Sequence, residues 1–425
     1  MSDRSKTSPR TVAGAPWLSW PGTVRIFEAL AARDHKVRAV GGAVRDTLLD
    51  RPVQDVDFAT DASPETVMEL GRAAGLKAVP TGIDHGTVTL VVDHHAFEVT
   101  TLREDVETFG RHATVSFTDD WAADASRRDF TINALYADGD GTLFDPLGAI
   151  ADIQKRRVRF IGDARARVQE DYLRILRFFR FNADLMTDRF DADGLSACVR
   201  ERNGLRGLSG ERVAGELMRL LRAGGAVIAL WKMFDHGLLA DVLRGVPNMV
   251  RFERLAAIET ALGREPDALL RLGGLNVLVA EDATRLAAIL RLSNAERDRL
   301  VAFARMPDVA ASANDAALCR LVYAFGTIGA GDAVLKSWAA SDAQPSSEAW
   351  HACTARVSAM PVPEFPLQGA DLVGLGAKQG PGIGDVLKLL EAQWLESGCT
   401  ETKRTLLAAA KALLASDQAH RNEGD

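Results

Sequence analysis

The chain predicts an α+β protein: a small head built on a mixed β-sheet, then a long, almost wholly α-helical body. Three observations carry this prediction. Between Val37 and Leu102, short β-branched runs alternate with turn residues. After Gly162, apolar residues recur at helical spacing almost throughout. The charge balance changes in between: residues 37–150 hold 9 basic and 20 acidic side chains, and residues 151–225 hold 16 and 11. An acidic first part suits metal ions and an arginine-rich second part suits phosphates; two ordinary solvated surfaces are the plainer alternative.

Taken in order, residues 1–20 read as a mobile tail. Val37–Val40 reads as a strand, then Gly41–Gly42 and a short helix to about Leu49. Val53–Ala59 reads as a second strand. Ser63 and Pro64 suit an N-cap and first-turn proline, opening a helix that stops at Gly75. Lys77–Val79, Thr87–Val92 and Phe97–Leu102 read as strands, with Asp93–His95 as a hairpin turn. Arg103–Arg127 is polar and lacks periodicity, which predicts a long loop. The helical part includes Glu170–Phe181, Ser209–Leu221, Asp282–Arg291, Gly384–Glu396 and Thr402–Ser416. The polar, Pro-containing stretch Ser341–Ser347 marks a boundary.

A chain of 425 residues predicts two to four domains. At 47% hydrophobic and 26% charged, it has the makings of a core and is not globally disordered. Cys198, Cys319, Cys353 and Cys399 lie far apart, so neither a disulfide scaffold nor a CxxC zinc site is expected, and a reducing, cytoplasmic setting fits. No run of about 18 apolar residues argues for a membrane span, and Met1–Pro16 lacks the apolar stretch of a secretory signal.

Chemistry concentrates in a few places. Gly41–Gly42 lies between a strand and a helix. Without Cβ atoms, the backbone there can approach a phosphate, and Arg45 can add a charged fork. Such a turn is also common as plain structure. Asp55-Val56-Asp57 follows nine residues after Asp46. Two residues apart in a strand, the carboxylates project from one face. Like charges so close call for a cation, and Mg²⁺ accepts carboxylates while leaving positions for substrate phosphates. A solvated edge strand is the other reading. Glu98, opposite in facing to Phe97 and Val99, can complete the acidic cluster or sit on a surface. Arg128, in Arg127-Arg128-Asp129-Phe130, can reach a ribose or phosphate, or belong to a salt-bridged helix start.

Asp171, Arg174, Arg177 and Arg180 recur at helical spacing, so they predict one row on a helix. An intrahelical Asp–Arg salt bridge is the bland account. Hydrogen-bond inventory offers another: a carboxylate only accepts and a guanidinium only donates. Together they match the edges of cytosine and of adenine, and mismatch uracil and guanine, which present the opposite polarity. Unpaired buried polar groups make such rejection large.

The motifs GGAVRD, DVD, FEVTTLR, RRDFTINAL, FDPLG and EDYLRILRFFRF occur in the order and approximate spacing of the class II tRNA nucleotidyltransferases, whose CCA-adding enzymes share the pattern with bacterial poly(A) polymerases. The resemblance covers roughly residues 36–182. It implies a polymerase-β-like nucleotidyltransferase head over 21–161, a neck with the nucleotide-selecting helix over 162–225, a body over 226–340 and a tRNA-binding tail over 341–425. Position by position, it implies that Asp55 and Asp57 bind the catalytic Mg²⁺ ions; Glu98, from its place on the strand, is a candidate third catalytic carboxylate beside them. Gly42 and Arg45 would meet the triphosphate and Arg128 the nucleotide. Asp171, Arg174, Arg177 and Arg180 would select CTP or ATP. Asp145 falls in a hinge segment, and Arg103–Asp120 in a loop that helps the switch to ATP.

Departures are small. Asp50 and Ala149 stand where the family often has glycine, and Tyr172 where it often has Pro or His. A weaker likeness at Pro366–Leu387 places a Gly-rich turn in the tail, which suits an RNA phosphate or an ordinary helix–helix turn. No HD-type phosphohydrolase signature occurs, and His85, His94 and His95 read as turn or strand-edge residues. The implied activity is addition of CMP and AMP to a tRNA 3′ end by two-metal nucleotidyl transfer. The rivals are a poly(A) polymerase, a partial A- or CC-adding enzyme, and a non-catalytic RNA-binding protein on the same fold. The Gly-Gly turn lacks GxGxxG, which disfavours a Rossmann dehydrogenase.

Overall fold

A computed structural model of the chain describes residues 11–109, 112–377 and 380–422. The chain forms two compact units, Met1–Arg244 and Gly245–Asp425.

The first unit opens with α1 (Pro21–Leu30), β1 (Val37–Val40), α2 (Gly42–Leu48), β2 (Asp57–Thr60), α3 (Pro64–Ala73), β3 (Lys77–Gly82), β4 (Thr87–Val92) and β5 (His95–Thr101). With β6 (Arg103–Phe109), β7 (His112–Phe117), α4 (Trp121–Ser126), β8 (Tyr136–Ala137) and β9 (Leu143–Phe144), the head is complete. Seven strands form one mixed sheet in the order β3-β4-β5-β2-β1-β8-β9. The β2–β5 pair is parallel, with Phe58 opposite Val99; the other pairs are antiparallel. Alternation along β5 buries Phe97 and Val99 and leaves Glu98 on the opposite face. Phe27, Phe58 and Phe97 meet as rings on the core side. Ser63 caps α3 by accepting the Thr66 N–H, as predicted. Asp93 and His94 take positive φ in the β4–β5 turn, the geometry a two-residue hairpin needs.

Several expectations are corrected. The strand predicted from Val53 starts only at Asp57, so Asp55 precedes the sheet. The supposed mobile tail is anchored over residues 11–20. Trp17 is buried and its indole N–H donates to Thr47 Oγ1 at 2.8 Å, while the Val12 N–H bonds to the Gly141 carbonyl. Residues 1–10 lie outside the described residues. The long loop predicted over Arg103–Arg127 is instead the β6–β7 ribbon followed by α4, whose start Asp120 caps. A two-stranded ribbon outside the main sheet has no need of apolar alternation, so periodicity could not reveal it.

Helices complete the unit: α5 (Ala149–Gln154), α6 (Ala164–Glu170), α7 (Leu173–Asp184), α8 (Ala192–Arg200), α9 (Gly210–Arg222), α10 (Ala226–Asp235) and α11 (Leu238–Leu243). The single helix predicted over Glu170–Phe181 is two. Asp171 is extended (φ −153°, ψ 105°), and its carboxylate accepts the Leu173 N–H at the start of α7. An Asp that caps the next helix competes with continuation of the last one. Helix α7 buries Ile175, Leu176, Phe178 and Phe179 and packs on α9 and α10.

The second unit is helical throughout its described residues: α12 (Met249–Ala261), α13 (Ala268–Asn276), α14 (Ala280–Leu290), α15 (Asn294–Arg305), α16 (Asp315–Ala340), α17 (Glu348–Ala359), α18 (Gly369–Gly374), α19 (Pro381–Glu396) and α20 (Lys403–Asn422). Helix α16 is long and apolar enough to pass for a membrane span by length and composition alone. Its apolar side chains, among them Leu318, Val322, Val334 and Trp338, are buried in the unit's own core. A break at Gly326 (φ 67°) kinks it. Leu372, Val386, Leu390, Trp394 and Leu406 form a cluster joining α18, α19 and α20. Cys319 and Cys399, 80 residues apart, form a disulfide, which corrects the expectation that no such pairing occurs. Folding brings α16 against the α19–α20 turn, a proximity that linear spacing cannot express.

Candidate active site

A cavity of about 490 Å³ opens in the first unit, within the roughly 300–1,000 Å³ range of small-molecule sites. One rim is the β1–α2 turn. Gly41 has φ 71° and ψ −110°, which side-chain-bearing residues rarely adopt. The turn leaves the first N–H groups of α2 without intrahelical partners, and both glycines line the cavity.

The floor is acidic. Asp57, at the mouth of β2, and Glu98, on β5, both line the cavity. The parallel β2–β5 register places these two residues side by side. Asp55 is exposed and does not line the cavity, yet its charge is felt at Asp57. The Asp57 carboxyl is pushed up to about 6, first by loss of hydration in the cleft, then by Glu98 and Asp55, with Arg128 opposing. Asp57 itself is exposed at the cavity mouth. Among the described residues, no three His, Cys, Asp or Glu side chains make a ready cage. Clustered carboxylates whose repulsion is only partly offset nevertheless fit a divalent cation that takes its other ligands from water and substrate phosphates. Mg²⁺ is such an ion.

The opposite wall is arginine, and each cation is held. Arg45 is buried, forks onto Asp46 and donates to Asn133 Oδ1 at 2.6 Å. Arg128 donates to Asp124 at 3.1 Å and to the Tyr136 hydroxyl at 3.3 Å. Arg177 meets Asp129 at 2.6 Å and Glu216 at 3.4 Å. Burial alone would raise the Asp129 carboxyl; the Arg177 charge and the Asn133 and Phe130 N–H groups outweigh it and hold the carboxyl low.

The predicted selector is partly redrawn. Asp171 and Arg174 both line the cavity, yet they do not share a helix face, and their side chains bond to other residues. Asp171 accepts from Arg212 at 2.6 Å, and Arg174 donates to Glu170 and to the Arg167 carbonyl. Arg180 lies outside the cavity lining. It stacks 4.0 Å from the centre of the Phe181 ring and bonds to Glu216 and Asp184. The fold therefore brings Gly42, Arg45, Asp57, Glu98, Arg128, Asp171, Arg174 and Arg177 to one cavity, with Asp55 and Arg180 outside its lining.

Sequence reasoning missed Arg103, Asp124 and Asn133 in the lining and Arg212 and Glu216 behind it. Arg212 and Glu216 share a face of α9 at i, i+4, which was legible. Their partners on α7 and in the α6–α7 break were not. Taken together, an acidic floor that suits a cation, an arginine wall and a carboxylate with a guanidinium to the side can accommodate a nucleoside triphosphate.

Comparison with known proteins narrows this. The family model for the poly A polymerase head domain matches residues 37–159. The chain is 35% identical over 395 residues to the mitochondrial CCA tRNA nucleotidyltransferase 1 of Mus musculus, covering 92% of this chain and 90% of that protein. It is 33% identical over 394 residues to the Homo sapiens protein of the same name, with the same coverage of both. The solved structure of the Bacillus stearothermophilus CCA-adding enzyme in complex with CTP is similar with a TM-score of 0.73 and 27% identity, over 93% of this chain and 97% of that one.

Proposed function

The chain belongs to the family of CCA-adding tRNA nucleotidyltransferases, and from that premise we propose that its head cavity transfers CMP and AMP from CTP and ATP to the 3′ end of tRNA, releasing pyrophosphate. The observation that carries this reading is a single cavity holding Asp57 and Glu98 on one side and the arginine wall with Asp171 and Arg174 on the other.

In this reading Gly42, Arg45 and Arg128 bind and orient the triphosphate. Asp55 and Asp57, with Glu98 beside them, hold Mg²⁺, which when bound lowers the pKa of the attacking hydroxyl and stabilises the pyrophosphate that leaves. Asp171 accepts from the exocyclic amine of cytosine or adenine, and Arg174 donates to the neighbouring ring nitrogen. Uracil and guanine would set acceptor against acceptor and donor against donor. Arg177 and Arg180 are held by Asp129, Glu216 and Asp184, so they support the selector's shape and charge. Positioning and charge stabilisation account for most of the rate.

The helical half grips tRNA by backbone and shape rather than by sequence. The functional divisions are a head over 21–161, neck over 162–225, body over 226–340 and tRNA-binding tail over 341–425. A cytoplasmic setting belongs to the same reading, and in that reducing compartment the Cys319–Cys399 pair would be held as thiols.

The test is a tRNA transcript lacking CCA, incubated with the protein, Mg²⁺ and CTP, ATP or both, with products read at single-nucleotide resolution. Three added residues, only when both nucleotides are present, is the expected result. Two C additions alone, a single A on a CC end, or a long A ladder would reassign the chain within the fold. No product on any acceptor would overturn the reading.

A further inference from the structure

Arg128 is fixed by a closed triangle of hydrogen bonds that the chemistry above does not use. Asp124 on α4 is 3% exposed. Its Oδ2 accepts from Arg128 Nη2 at 3.1 Å and from the Tyr136 hydroxyl at 2.8 Å. The same hydroxyl accepts from Arg128 Nε at 3.3 Å. A phenol that donates to a carboxylate and accepts from a guanidinium must be protonated, and burial holds Tyr136 in that form. A guanidinium carries five N–H donors in a rigid plane. With Nε and Nη2 engaged, its rotation is set, and Nη1 is left at the other end. That end faces the β1–α2 turn: a Cβ placed on Gly41 would lie 4.0 Å from Nη1.

We propose that Asp124 and Tyr136 are positioning residues, turning Arg128 so that Nη1 meets the triphosphate of the bound nucleotide at the Gly41–Gly42 turn. This rests on the nucleotide-binding reading of the cavity. Without the pair, Arg128 retains its charge but loses its preset orientation, and ordering a free arginine side chain costs entropy on binding. The effect acts on the triphosphate, which CTP and ATP share. It is therefore blind to the base, unlike a change at Asp171 or Arg174.

Tyr136→Phe is the informative variant, because the ring keeps its contacts with Trp121 and Phe144 and only the hydroxyl is lost. The experiment is a double-mutant cycle on CTP and ATP affinity in the presence of Mg²⁺, using the full chain as wild type, Tyr136→Phe, Arg128→Ala and both together. Thermal melting of each variant checks the fold. The expected result is weaker binding of CTP and ATP by a similar factor of about 3–10 in Tyr136→Phe, the scale of the one hydrogen bond by which the hydroxyl holds Arg128. No further loss should follow when Arg128 is already Ala.

Asp124→Asn keeps the volume but removes the charge that orients both partners, and it should show the same non-additivity. Equal losses from Tyr136→Phe with and without Arg128 would overturn the proposal and make the pair a plain structural contact. So would undiminished affinity in Tyr136→Phe, or weakening confined to one nucleotide. If wild type itself binds neither nucleotide, the cavity reading has failed, and the proposal with it.

Discussion

Asp57 and Glu98 sit side by side on the paired strands β2 and β5, where their repulsion favours a bound cation. Asp57→Ala or Asp55→Ala should abolish nucleotidyl transfer while leaving the melting transition intact; full residual activity would refute the cation-binding role. At the selector, Asp171→Ala or Arg174→Ala should relax the choice of base more than it weakens triphosphate binding. Misincorporation of UTP and GTP is the readout, and unchanged discrimination would remove the selector role. Asp129 offers a test by pH. Its carboxyl is held below its ordinary range despite burial, by Arg177 and two N–H donors. A depressed folded-state pKa contributes stability above the unfolded value and loses it as pH falls. Asp129→Asn should therefore cost about 3–5 kcal/mol in denaturant titrations at pH 7, the scale for breaking one side of a buried ion pair. The gap should begin to shrink as pH falls below about 4, where the unfolded chain takes up the proton, and close only at lower pH, once the folded carboxyl is protonated too.

Among the elements, the α6–α7 break matters most. A continuous helix would have carried Asp171 and Arg174 on adjacent turns of one face and tied them together. With residue 171 extended, the Arg174 N–H still bonds to the Asp171 carbonyl, but each side chain takes an outside partner and both line the cavity. The β6–β7 ribbon is the other informative element, since Arg103 at its base lines the cavity. Shortening the ribbon within residues 103–120 should hurt AMP addition more than CMP addition, measured on acceptors ending before and after CC. Equal loss would make the ribbon a structural cover with no part in the change of nucleotide.

At the scale of the molecule, the second unit is closed by a covalent link that spans 80 residues of chain. Cys198 and Cys353 are buried and free. Thiol titration in denaturant should find two reactive groups without reductant and four after reduction. A link that restrains so long a loop contributes about 2–4 kcal/mol, so reduction should lower the melting temperature of the helical unit. Four reactive thiols in the untreated protein would show that the pair is reduced under the conditions tested.

The sequence by itself determined what depends on neighbours along the chain. The glycine turn after β1, the capped start of α3, the β4–β5 hairpin and the amphipathic faces of α7 and α9 follow from backbone preference and hydrophobic period, which act within a few residues. The residue types of the site were legible for the same reason, because their motifs are local. Only the tertiary structure decided which charges meet. Arg212 reaches Asp171 across 41 residues, Arg177 reaches Asp129 across 48, Arg45 reaches Asn133 across 88, and Cys319 reaches Cys399 across 80. Those pairings depend on how layers pack, and a buried charge takes whichever partner the packing delivers because leaving it unpaired costs too much. Apolar packing, likewise a matter of the whole fold, anchored residues 11–20, where burial of Trp17 outweighed a composition that read as loose tail.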